Sequence, residues 1–549
     1  MERILFIVPP NVSFESFVKP AFNERTVTKK TGVYGSIVTE MPLGILSLSS
    51  YLKKNSEIEI KLLDFNIILN KLQSFEYNSF TELFHTVLSS EEWVKYAPTI
   101  IGISTLYTPA YHNMLELGKV SKEVFKDALV IAGGGVPTNM YPEIFKTTKC
   151  FDALCYGEGE KPMLALVSSV DKHETLNKHT SWVTKEKAAK KARFAFDFIE
   201  DLDEIPFPDY DILELKEYRS NSIMSLFPLA KEKKKSFPIL TSRGCTHKCC
   251  FCSSHTVHGR KMRYYSIGRI KKDFSRLKEK YKADVVIIID DHFMSEKKRF
   301  FAIIEIIKNL GLTSFFPSSL ALYALDRKVL EALKSIGVDN LVLSVESGSE
   351  RVLREIMHKP LNLAIVKRVI EDCREINIAS DISILIGLPG ETKKDLEDAL
   401  TFLKTLNATW FRISMATPLV GSEMLDICLK NNYIRGDFLD CDFKKPVIET
   451  KDFTPEFIKE KAYLMNLELN FAGNSEMRLG NFSVALKGFE NTIKVKDDHA
   501  FAYYYAAQCY KETGKNDKYI LYKEKYNKII KDSLFWRSYA EKFGLPPLD

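Results

Sequence analysis

The sequence predicts an α/β protein in three parts: an N-terminal doubly wound parallel sheet, a central full or partial β/α barrel, and an all-α C-terminal extension. Three observations predict this fold class. Apolar runs alternate with helical patterns over residues 1–165, the alternation resumes over 239–450, and only helical patterns follow Thr454. Strands that alternate with helices form parallel sheets with helices on their faces. We therefore predict domains at 1–170, 238–450 and 451–549, with a linker at 171–237.

Composition agrees with a folded, multidomain chain. The 549 residues suggest three or four domains, and 45% apolar with 27% charged residues excludes a largely disordered or fibrous protein. The net charge of +6 is too small for a dedicated nucleic-acid binder. We expect no membrane span, because no apolar run approaches about 18 residues, and we expect a cytoplasmic protein, because the first apolar run is too short for a signal peptide.

The N-terminal part is predicted to contain five strands, at residues 4–8, 58–63, 100–104, 129–132 and 153–156. Helical patterns at 43–54 and 111–126 lie between them. Short hydroxyls or glycines follow three of these strands, in the segments Ser104–Thr105, Gly133–Gly135 and Gly157–Glu158. The carboxyl ends of parallel strands meet at the edge where open sheets bind ligands. Residues 170–238 do not continue the alternation of strand and helix patterns, and they are predicted to be a linker with some local structure.

The central part is predicted to contain strands at 238–241, 285–289, 341–345, 382–386 and 411–415, with helices between them. In the C-terminal part, Gly480 and Gly514 are 34 residues apart, with small and aromatic residues between them. This period is typical of a tetratricopeptide-type (TPR-like) helix pair. A plain helical cap on the barrel is the alternative, and the run Tyr503–Tyr505 fits helix packing better than a binding face.

The most informative motif is Cys-x3-Cys-x2-Cys, formed by Cys245, Cys249 and Cys252. Three thiolates on one tight loop after a strand suit zinc, Cu(I) or an iron–sulfur cluster. A structural zinc site normally closes its shell with a fourth ligand, often from a second pair, and the sequence has no second Cys-x2-Cys. Three ligands on a four-iron cluster leave one iron open. A zinc knuckle remains the alternative, while Cys250 is off the spacing and is interpreted as a spectator.

This loop resembles that of the radical SAM enzymes, in which an aromatic residue precedes the third cysteine, as Phe251 does here. The resemblance implies that the three cysteines hold a 4Fe–4S cluster and that S-adenosylmethionine (SAM) chelates the fourth iron. Electron transfer then cleaves SAM to methionine and a 5′-deoxyadenosyl radical. An external donor such as flavodoxin or ferredoxin is implied as the electron source.

Four further segments resemble the SAM-binding pieces of this family, in the same order. Asp290 and Asp291 follow a predicted strand, at the place that contacts the SAM amino group, although a helix-capping carboxylate pair is the alternative. The resemblance implies a ribose contact for Glu346 in Ser344-Val345-Glu346-Ser347-Gly348. The other two segments are Ile384–Thr392 and Met415–Pro418. The remaining candidates for SAM binding are Phe251, Ser347, Gly387 and Ala416.

The N-terminal part resembles the Rossmann-like cobalamin-binding domain that precedes many radical SAM domains, on Pro42–Leu46, Leu62–Asp64, Ile101–Thr105, Ala132–Pro137 and Tyr156–Glu160. The resemblance covers about residues 1–450 and implies a class B, cobalamin-dependent enzyme. The candidate cobalamin-binding residues are Ser104, Thr105, Gly133, Gly134, Gly135, Gly157 and Glu158. The Asp-x-His-x-x-Gly motif that supplies a lower axial histidine in related domains is absent. Ordinary glycine turns, or a domain that has lost cobalamin, are the alternatives.

The function implied is methyl transfer from SAM, through cobalamin, to an unactivated carbon of a small-molecule or carrier-bound substrate. The first alternative is a related enzyme that uses the radical for cyclisation, oxidation or rearrangement. The second is a cluster-bearing scaffold whose C-terminal helices recruit a protein partner. No general base is assigned from the sequence, and substrate identity is not predicted.

Overall fold

The computed structural model describes residues 1–20, 26–219, 234–318, 320–440 and 445–549. Its strands, in chain order, are β1 (Glu2–Val8), β2 (Thr26–Lys29), β3 (Gly32–Gly35), β4 (Ile58–Asp64), β5 (Ile100–Ser104), β6 (Leu129–Gly133), β7 (Ala153–Cys155), β8 (Trp182–Val183), β9 (Ser236–Ile239), β10 (Ser242–Arg243), β11 (Arg263–Tyr264), β12 (Val285–Ile288), β13 (Thr313–Phe315), β14 (Asn340–Glu346), β15 (Ala379–Ile386) and β16 (Trp410–Met415).

The helices, in chain order, are α1 (Phe14–Val18), α2 (Leu43–Asn55), α3 (Phe65–Lys71), α4 (Phe80–Leu88), α5 (Glu91–Tyr96), α6 (Tyr111–Val124), α7 (Gly135–Thr147), α8 (Glu160–Ser168), α9 (Lys172–Lys178), α10 (Lys185–Ala189), α11 (Leu215–Arg219), α12 (His255–His258), α13 (Ile267–Glu279), α14 (Lys297–Asn309), α15 (Arg327–Ser335), α16 (Leu363–Glu375), α17 (Lys393–Lys404), α18 (Glu423–Lys430), α19 (Pro455–Leu467), α20 (Ser475–Arg478), α21 (Phe482–Val495), α22 (Ala500–Glu512), α23 (Asn516–Asp532) and α24 (Leu534–Lys542).

The chain divides into two compact units. The first contains the described residues of 1–223, 235–312 and 417–442, and the second contains those of 313–416 and 443–549. This division separates the strands of the central part, since β9 to β12 belong to the first unit and β13 to β16 to the second. The domain boundaries drawn from the sequence therefore remain predictions.

A six-stranded sheet in the order β4-β1-β5-β6-β7-β8 organises the first unit. Its first five strands are parallel, and β8 pairs antiparallel with β7 at the edge. Successive residues of β1 enter two different cores: Leu5 and Ile7 pack on one face, while Ile4 and Phe6 pack on the other. Side chains of a strand alternate between faces, so both faces are covered. The predicted doubly wound sheet is confirmed, and β8 adds a strand from the stretch predicted as a linker.

The first unit also holds the segment around the cysteine motif. Strand β12 pairs in parallel with β9, from Val285 opposite Ser236 to Ile288 opposite Ile239. Strands β10 and β11 form a short antiparallel pair, with Ser242 opposite Tyr264 and Arg243 opposite Arg263. Residues 244–262 form the loop between these two strands. The cysteine motif is thus carried on a hairpin that directly follows β9.

The second unit contains three adjacent parallel strands in the order β14-β15-β16. A capping box starts α17, because the Thr392 hydroxyl accepts the Asp395 N–H and the Asp395 carboxylate accepts the Thr392 N–H. The helices from α19 onward surround a core that includes Trp410 of β16, Phe471, Phe489 and Trp536. The predicted α/β class with a helical C-terminal region is confirmed.

Gly480 and Gly514 both adopt positive φ in turns that precede helices, at +72° and +71°. The helix pair α21 and α22 lies between them. This arrangement fits the predicted 34-residue period, and a TPR-like repeat stays a prediction. None of the described helices is long and apolar enough to cross a bilayer.

Candidate cluster, SAM and cobalamin sites

The cysteine loop begins with a close backbone approach at Gly244. This residue has φ +96°, and a Cβ there would lie 2.3 Å from the Lys261 carbonyl oxygen. Only glycine fits such a contact in the left-handed region. The N–H of Cys245 donates to the Gly259 carbonyl at 3.4 Å, so the two ends of the loop are held together directly before the first cysteine.

The three motif cysteines are partly exposed, whereas Cys250 is buried. The Cys252 N–H donates to the Cys249 carbonyl at 3.1 Å, which folds the second half of the motif into a turn. Burial raises the pKa of the Cys245 thiol to about 11, and the charges of Asp291, Cys252 and Cys249 add to the shift. The Cys249 and Cys252 thiols therefore lie close enough to the Cys245 thiol for their charges to act on it.

The donor set of the loop fits an iron–sulfur cluster chemically. Three thiolates from one short turn are soft ligands of the kind that iron–sulfur clusters take. Within the described residues, no group of three or more His, Cys, Asp or Glu side chains has metal-ligand geometry. The cluster assignment of Cys245, Cys249 and Cys252 thus rests on spacing, proximity and donor chemistry. Phe251, the predicted aromatic neighbour, is half-buried.

The two aspartates after β12 have different surroundings. Asp290 is 2% exposed, and its carboxylate accepts the Thr241 N–H, the Thr241 hydroxyl and the Ser242 hydroxyl, each at 2.6 Å. It therefore fastens β12 to the segment that enters the cysteine loop. Asp291 is half-buried, and its charge acts on the Cys245 thiol. Of the pair, Asp291 is the more exposed carboxylate.

The other predicted SAM residues lie at the carboxyl ends of β14, β15 and β16 in the second unit. Glu346 ends β14 with φ +67°, a strained conformation for a residue other than glycine, and lies 3.5 Å from the Lys359 ammonium. Ser347 is buried and its hydroxyl accepts the Ser349 N–H. Gly387 has φ +87°, and the Ala416 N–H donates to the Ile386 carbonyl. The parallel strands place these residues along one sheet edge.

A residue that the sequence interpretation missed lies beside Gly387. Glu391 is fully buried, and its Oε2 accepts the N–H groups of Gly387 at 2.6 Å and Leu388 at 3.1 Å. Its Oε1 has no hydrogen-bond partner among the described residues. Burial raises the pKa of this carboxyl to about 7. The Gly-Leu-Pro-Gly-Glu spacing is the signal that could have identified it.

The candidate cobalamin residues at β5 and β6 form one turn system. The Thr105 N–H donates to the Gly133 carbonyl at 2.9 Å, and the Val136 N–H donates to the Thr105 carbonyl at 3.2 Å. A Cβ on Gly134, which has φ +108°, would lie 2.5 Å from the Thr105 oxygen. Gly133 is less constrained, since its Cβ would make an ordinary 3.6 Å contact. Ser104 pairs with Gly133 at the last register position.

Several features at this sheet edge fit a large ligand. The hydroxyls of Thr105 and Thr108 are buried and have no hydrogen-bond partner in the described part of the chain. Between them, Leu106 is 56% and Tyr107 40% exposed. Desolvation nevertheless raises the pKa of the Tyr107 phenol, and the Glu40 carboxylate adds to the shift. Residues 104–108 therefore combine two buried hydroxyls that lack a partner among the described residues with two exposed side chains.

Gly157 and Glu158, the last candidates, are engaged by protein. Gly157 has φ +85°, and a Cβ there would lie 2.5 Å from the Phe196 ring. Glu158 is 5% exposed and contacts Arg243, His258 and Arg263. Burial alone would raise the pKa of its carboxyl, but these three partners hold that pKa well below its usual range. The structure thus gives Glu158 protein partners of opposite charge.

Comparison with known proteins agrees with this geometry. The model of the radical SAM superfamily matches residues 239–403, and that of the B12 binding domain matches residues 38–167. The chain contains a radical SAM domain and, before it, a B12 binding domain. The first match contains the cysteine loop and both aspartates, and the second contains the β5 and β6 turns.

Curated relatives extend over most of this radical SAM enzyme. It is 26% identical to the uncharacterized methyltransferase PH0819 of Pyrococcus horikoshii over 84% of this chain and 92% of that protein. It is 24% identical to cytidylyl-2-hydroxyethylphosphonate methyltransferase of Streptomyces wedmorensis, over 72% and 78%. It is also 26% identical to the anaerobic magnesium-protoporphyrin IX monomethyl ester cyclase of Rubrivivax gelatinosus, over 64% and 62%.

Solved structures show the same fold at low sequence identity. The cobalamin-dependent radical SAM enzyme OxsB, with aqua-cobalamin and SAM bound, has a TM-score of 0.61 at 15% identity and covers 95% of this chain and 72% of that chain. The radical SAM methyltransferase TsrM from Kitasatospora setae, with cobalamin and a [4Fe-4S] cluster bound, has a TM-score of 0.57 at 14% identity, over 95% and 100%.

Proposed function

We propose that this enzyme is a cobalamin-dependent radical SAM methyltransferase that acts on an unactivated carbon. The observation that carries the proposal is that one compact unit contains both a three-thiol loop and a B12-binding sheet edge. Two buried hydroxyls at that edge lack a partner among the described residues. The methyltransferases among its relatives support the same activity.

Each cofactor has a defined set of protein groups in this proposal. Cys245, Cys249 and Cys252 hold the 4Fe–4S cluster, and the Asp291 carboxylate accepts the ammonium of SAM. The remaining SAM contacts come from Phe251, Glu346, Ser347, Gly387 and Ala416. Cobalamin binds at the β5 and β6 turns, where Thr105 and Thr108 offer hydroxyls. Leu106 and Tyr107 cover apolar surface there and exclude water.

When bound, the cluster supplies the electron that cleaves SAM, and cobalamin supplies a carrier for the methyl group. The chain itself binds, orients and shields the reacting groups. We assign no general base. An external donor such as flavodoxin or ferredoxin supplies electrons, and we place the enzyme in the cytoplasm with a small-molecule or carrier-bound substrate. The C-terminal helices are a candidate docking region for such a carrier or another protein partner.

The second candidate is a radical SAM reaction without methyl transfer, such as cyclisation, oxidation or rearrangement. Its support is the similarity to anaerobic cyclases over 64% of the chain. The two candidates differ in what they do to SAM, since only a methyltransferase converts SAM to S-adenosylhomocysteine.

The experiment uses protein reconstituted anaerobically with iron, sulfide and hydroxocobalamin, then reduced and supplied with SAM alone. We expect four irons and one cobalamin per chain, and S-adenosylhomocysteine in amounts close to the bound cobalamin. Four irons with cleavage of SAM to 5′-deoxyadenosine, but no S-adenosylhomocysteine, would favour the second candidate. Zinc without iron would exclude both.

Two adjacent cysteines provide a matched pair of variants. Cys249→Ala removes a proposed cluster ligand and is expected to lower iron content and 5′-deoxyadenosine formation at least tenfold. Cys250→Ala removes a buried thiol from the same turn, off the motif spacing, and is expected to keep both within twofold. Equal iron loss in the two variants would show that the turn, and not the ligand set, had been damaged.

A further inference from the structure

A buried group of charges joins the hairpin of the cysteine loop to the B12-binding sheet, within the first unit. Arg243 and Arg263 face each other across β10 and β11. Glu158, in the turn after β7, contacts both: its Oε1 accepts Arg263 Nη2 at 2.6 Å, and its Oε2 lies 3.0 Å from Arg263 Nη1 and 3.1 Å from Arg243 Nη1. One carboxylate thus bridges the two strands that carry the loop.

A second carboxylate balances the charge of this group. Glu160 Oε1 accepts Arg243 Nη2 at 2.7 Å and the Ser47 hydroxyl at 2.7 Å. His258, inside the loop, lies 2.7 Å from Glu158 through Nδ1. Both arginines and both glutamates are at most 5% exposed. Two buried carboxylates therefore meet two buried guanidiniums with their charges matched.

Other contacts also join this hairpin to the part of the first unit that contains the B12-binding sheet. The rings of Tyr156, Phe196 and Phe198 stack at 5.0 and 4.9 Å, and the Arg263 guanidinium lies 4.2 Å from the Phe198 centroid. The Asn139 amide on α7 donates to the Thr256 hydroxyl in the loop at 2.8 Å. The charge group is therefore the centre of a continuous attachment.

Such a group is an inefficient way to gain stability. Buried ion pairs lose hydration that their attraction only partly returns, and apolar replacements of similar size are often as stable. What a bidentate carboxylate–guanidinium contact does provide is defined geometry. Arg243 lies two residues before Cys245. The contact between Arg243 and Glu158 therefore restricts the position of the first cysteine of the motif.

We propose that Glu158 is a positioning residue that fixes the cysteine loop relative to the B12-binding sheet edge, and not a cobalamin contact. The proposal rests on the proposed function, in which groups held by the loop and by the sheet edge react with a common substrate. Misplacement of reacting groups by about 1 Å can cost about 100-fold in rate. Glu158 therefore acts on the chemistry through Arg243 and Arg263.

The test uses the double variant Glu158→Gln/Arg263→Gln in the full chain. This variant removes one negative and one positive charge, so Arg243 keeps Glu160 and no buried charge is left alone. The control is Lys261→Ala, which breaks the exposed Lys261–Glu200 pair in the same loop. His258→Gln, at a half-exposed contact to Glu158, is a milder variant that stays informative if the double variant fails to fold.

The first readout is amide hydrogen exchange in residues 244–262 of the cluster-reconstituted protein. We expect at least tenfold faster exchange in the double variant, a smaller increase in His258→Gln, and no change in Lys261→Ala. Exchange equal to that of the unaltered protein in both Glu158-network variants would overturn the proposal. This readout needs no cobalamin, so it separates the positioning role from the proposed function.

The second readout is the electron paramagnetic resonance spectrum of protein that holds both the reduced cluster and cob(II)alamin. The magnetic coupling between the two centres depends steeply on their separation. We expect one defined splitting in the unaltered protein and a broadened or weaker splitting in the double variant, at equal iron and cobalamin content. Unchanged splitting would overturn the positioning role, whereas absence of cobalamin from the unaltered protein would instead overturn the proposed function.

Discussion

At the scale of single residues, Glu391 shows how burial sets a protonation state. Its carboxyl is 0% exposed, has one oxygen without a partner among the described residues, and has a pKa raised to about 7. Because the folded protein holds this proton more tightly than the unfolded chain, stability is present at low pH and is lost as pH rises from about 4.5 through 7. The full loss is about 3 kcal/mol.

We therefore expect Glu391→Gln to become more stable than the unaltered protein as pH rises. The amide oxygen still accepts the Gly387 and Leu388 N–H groups, but no charge forms. The difference in free energy of unfolding between the two proteins should grow by about 2.5 kcal/mol from pH 5 to pH 8, measured by chemical denaturation. Glu397→Gln, at an exposed position on α17, is the control. A pH-independent difference would contradict the prediction.

Single residues also show which parts of the candidate site can be predicted from the sequence. The cysteine motif spans eight residues, so its spacing alone placed all three thiols on one turn. The sequence predicts a SAM contact for Asp290 and a cobalamin contact for Glu158, because their local motifs resemble the ligand-binding segments of the family. Their partners in the structure lie about 50 to 105 residues away in sequence. Long-range pairs of this kind leave no local pattern, so these contacts emerged only from the structure.

At the scale of elements, two adjacent glycines in the β6–α7 turn have different structural roles, although the sequence does not distinguish them. Gly134 has positive φ and approaches the Thr105 carbonyl, whereas Gly133 has neither constraint. We expect Gly134→Ala to destabilise the protein by about 2 kcal/mol or more, because the new Cβ both disfavours the left-handed region and displaces that carbonyl. Thermal unfolding of the full chain measures the loss.

Gly133→Ala serves as the comparison for this turn, and its effect on stability should stay within about 0.5 kcal/mol. Cobalamin binding by the two variants should be measured as well as their stability. If Gly133→Ala keeps its stability but loses cobalamin, the ligand approaches the backbone at that glycine, as the family resemblance implies. Equal destabilisation by both substitutions would contradict the role assigned to the Gly134 turn.

The sequence predicts the strands that are long apolar runs, but it does not predict a short strand that forms only through pairing with a neighbouring strand. The predicted strands at 4–8, 58–63 and 100–104 lie within β1, β4 and β5, since buried parallel strands are continuous apolar runs. The two-residue strand β8 was not predicted. It exists because Trp182 and Val183 pair antiparallel with β7, and both side chains are fully buried. Two residues carry too little periodicity to signal a strand.

At the scale of the whole molecule, the C-terminal helices belong to the same compact unit as β14, β15 and β16. The Asn470 side chain explains part of this. Its Oδ1 accepts the Phe411 N–H at 2.8 Å, and its Nδ2 donates to the Phe411 carbonyl at 2.7 Å. Asn470 thus takes the place of a neighbouring strand at the edge β16, which would otherwise present unpaired backbone groups.

Other contacts join the same two regions. The Ser475 hydroxyl donates to the Ala408 carbonyl, and a Cβ on Gly488 of α21 would lie 2.6 Å from the Trp410 ring. Arg374 of α16 pairs with the buried Glu476 carboxylate. The change from alternating to purely helical patterns at Thr454 is clear in sequence, and the structure packs the helices that follow it against β16 and α16.

We therefore expect Asn470→Ala to loosen the sheet edge and the helices together. The substitution leaves the Phe411 N–H and carbonyl buried without partners, which costs about 2–4 kcal/mol. Amide hydrogen exchange should rise at least tenfold both in β16 and in the helices from α19 to α21, with Asn516→Ala, at an exposed position, as the unaffected control. A rise in β16 alone would show that the helices fold independently of the sheet, and the single compact unit would then have to be redrawn as two.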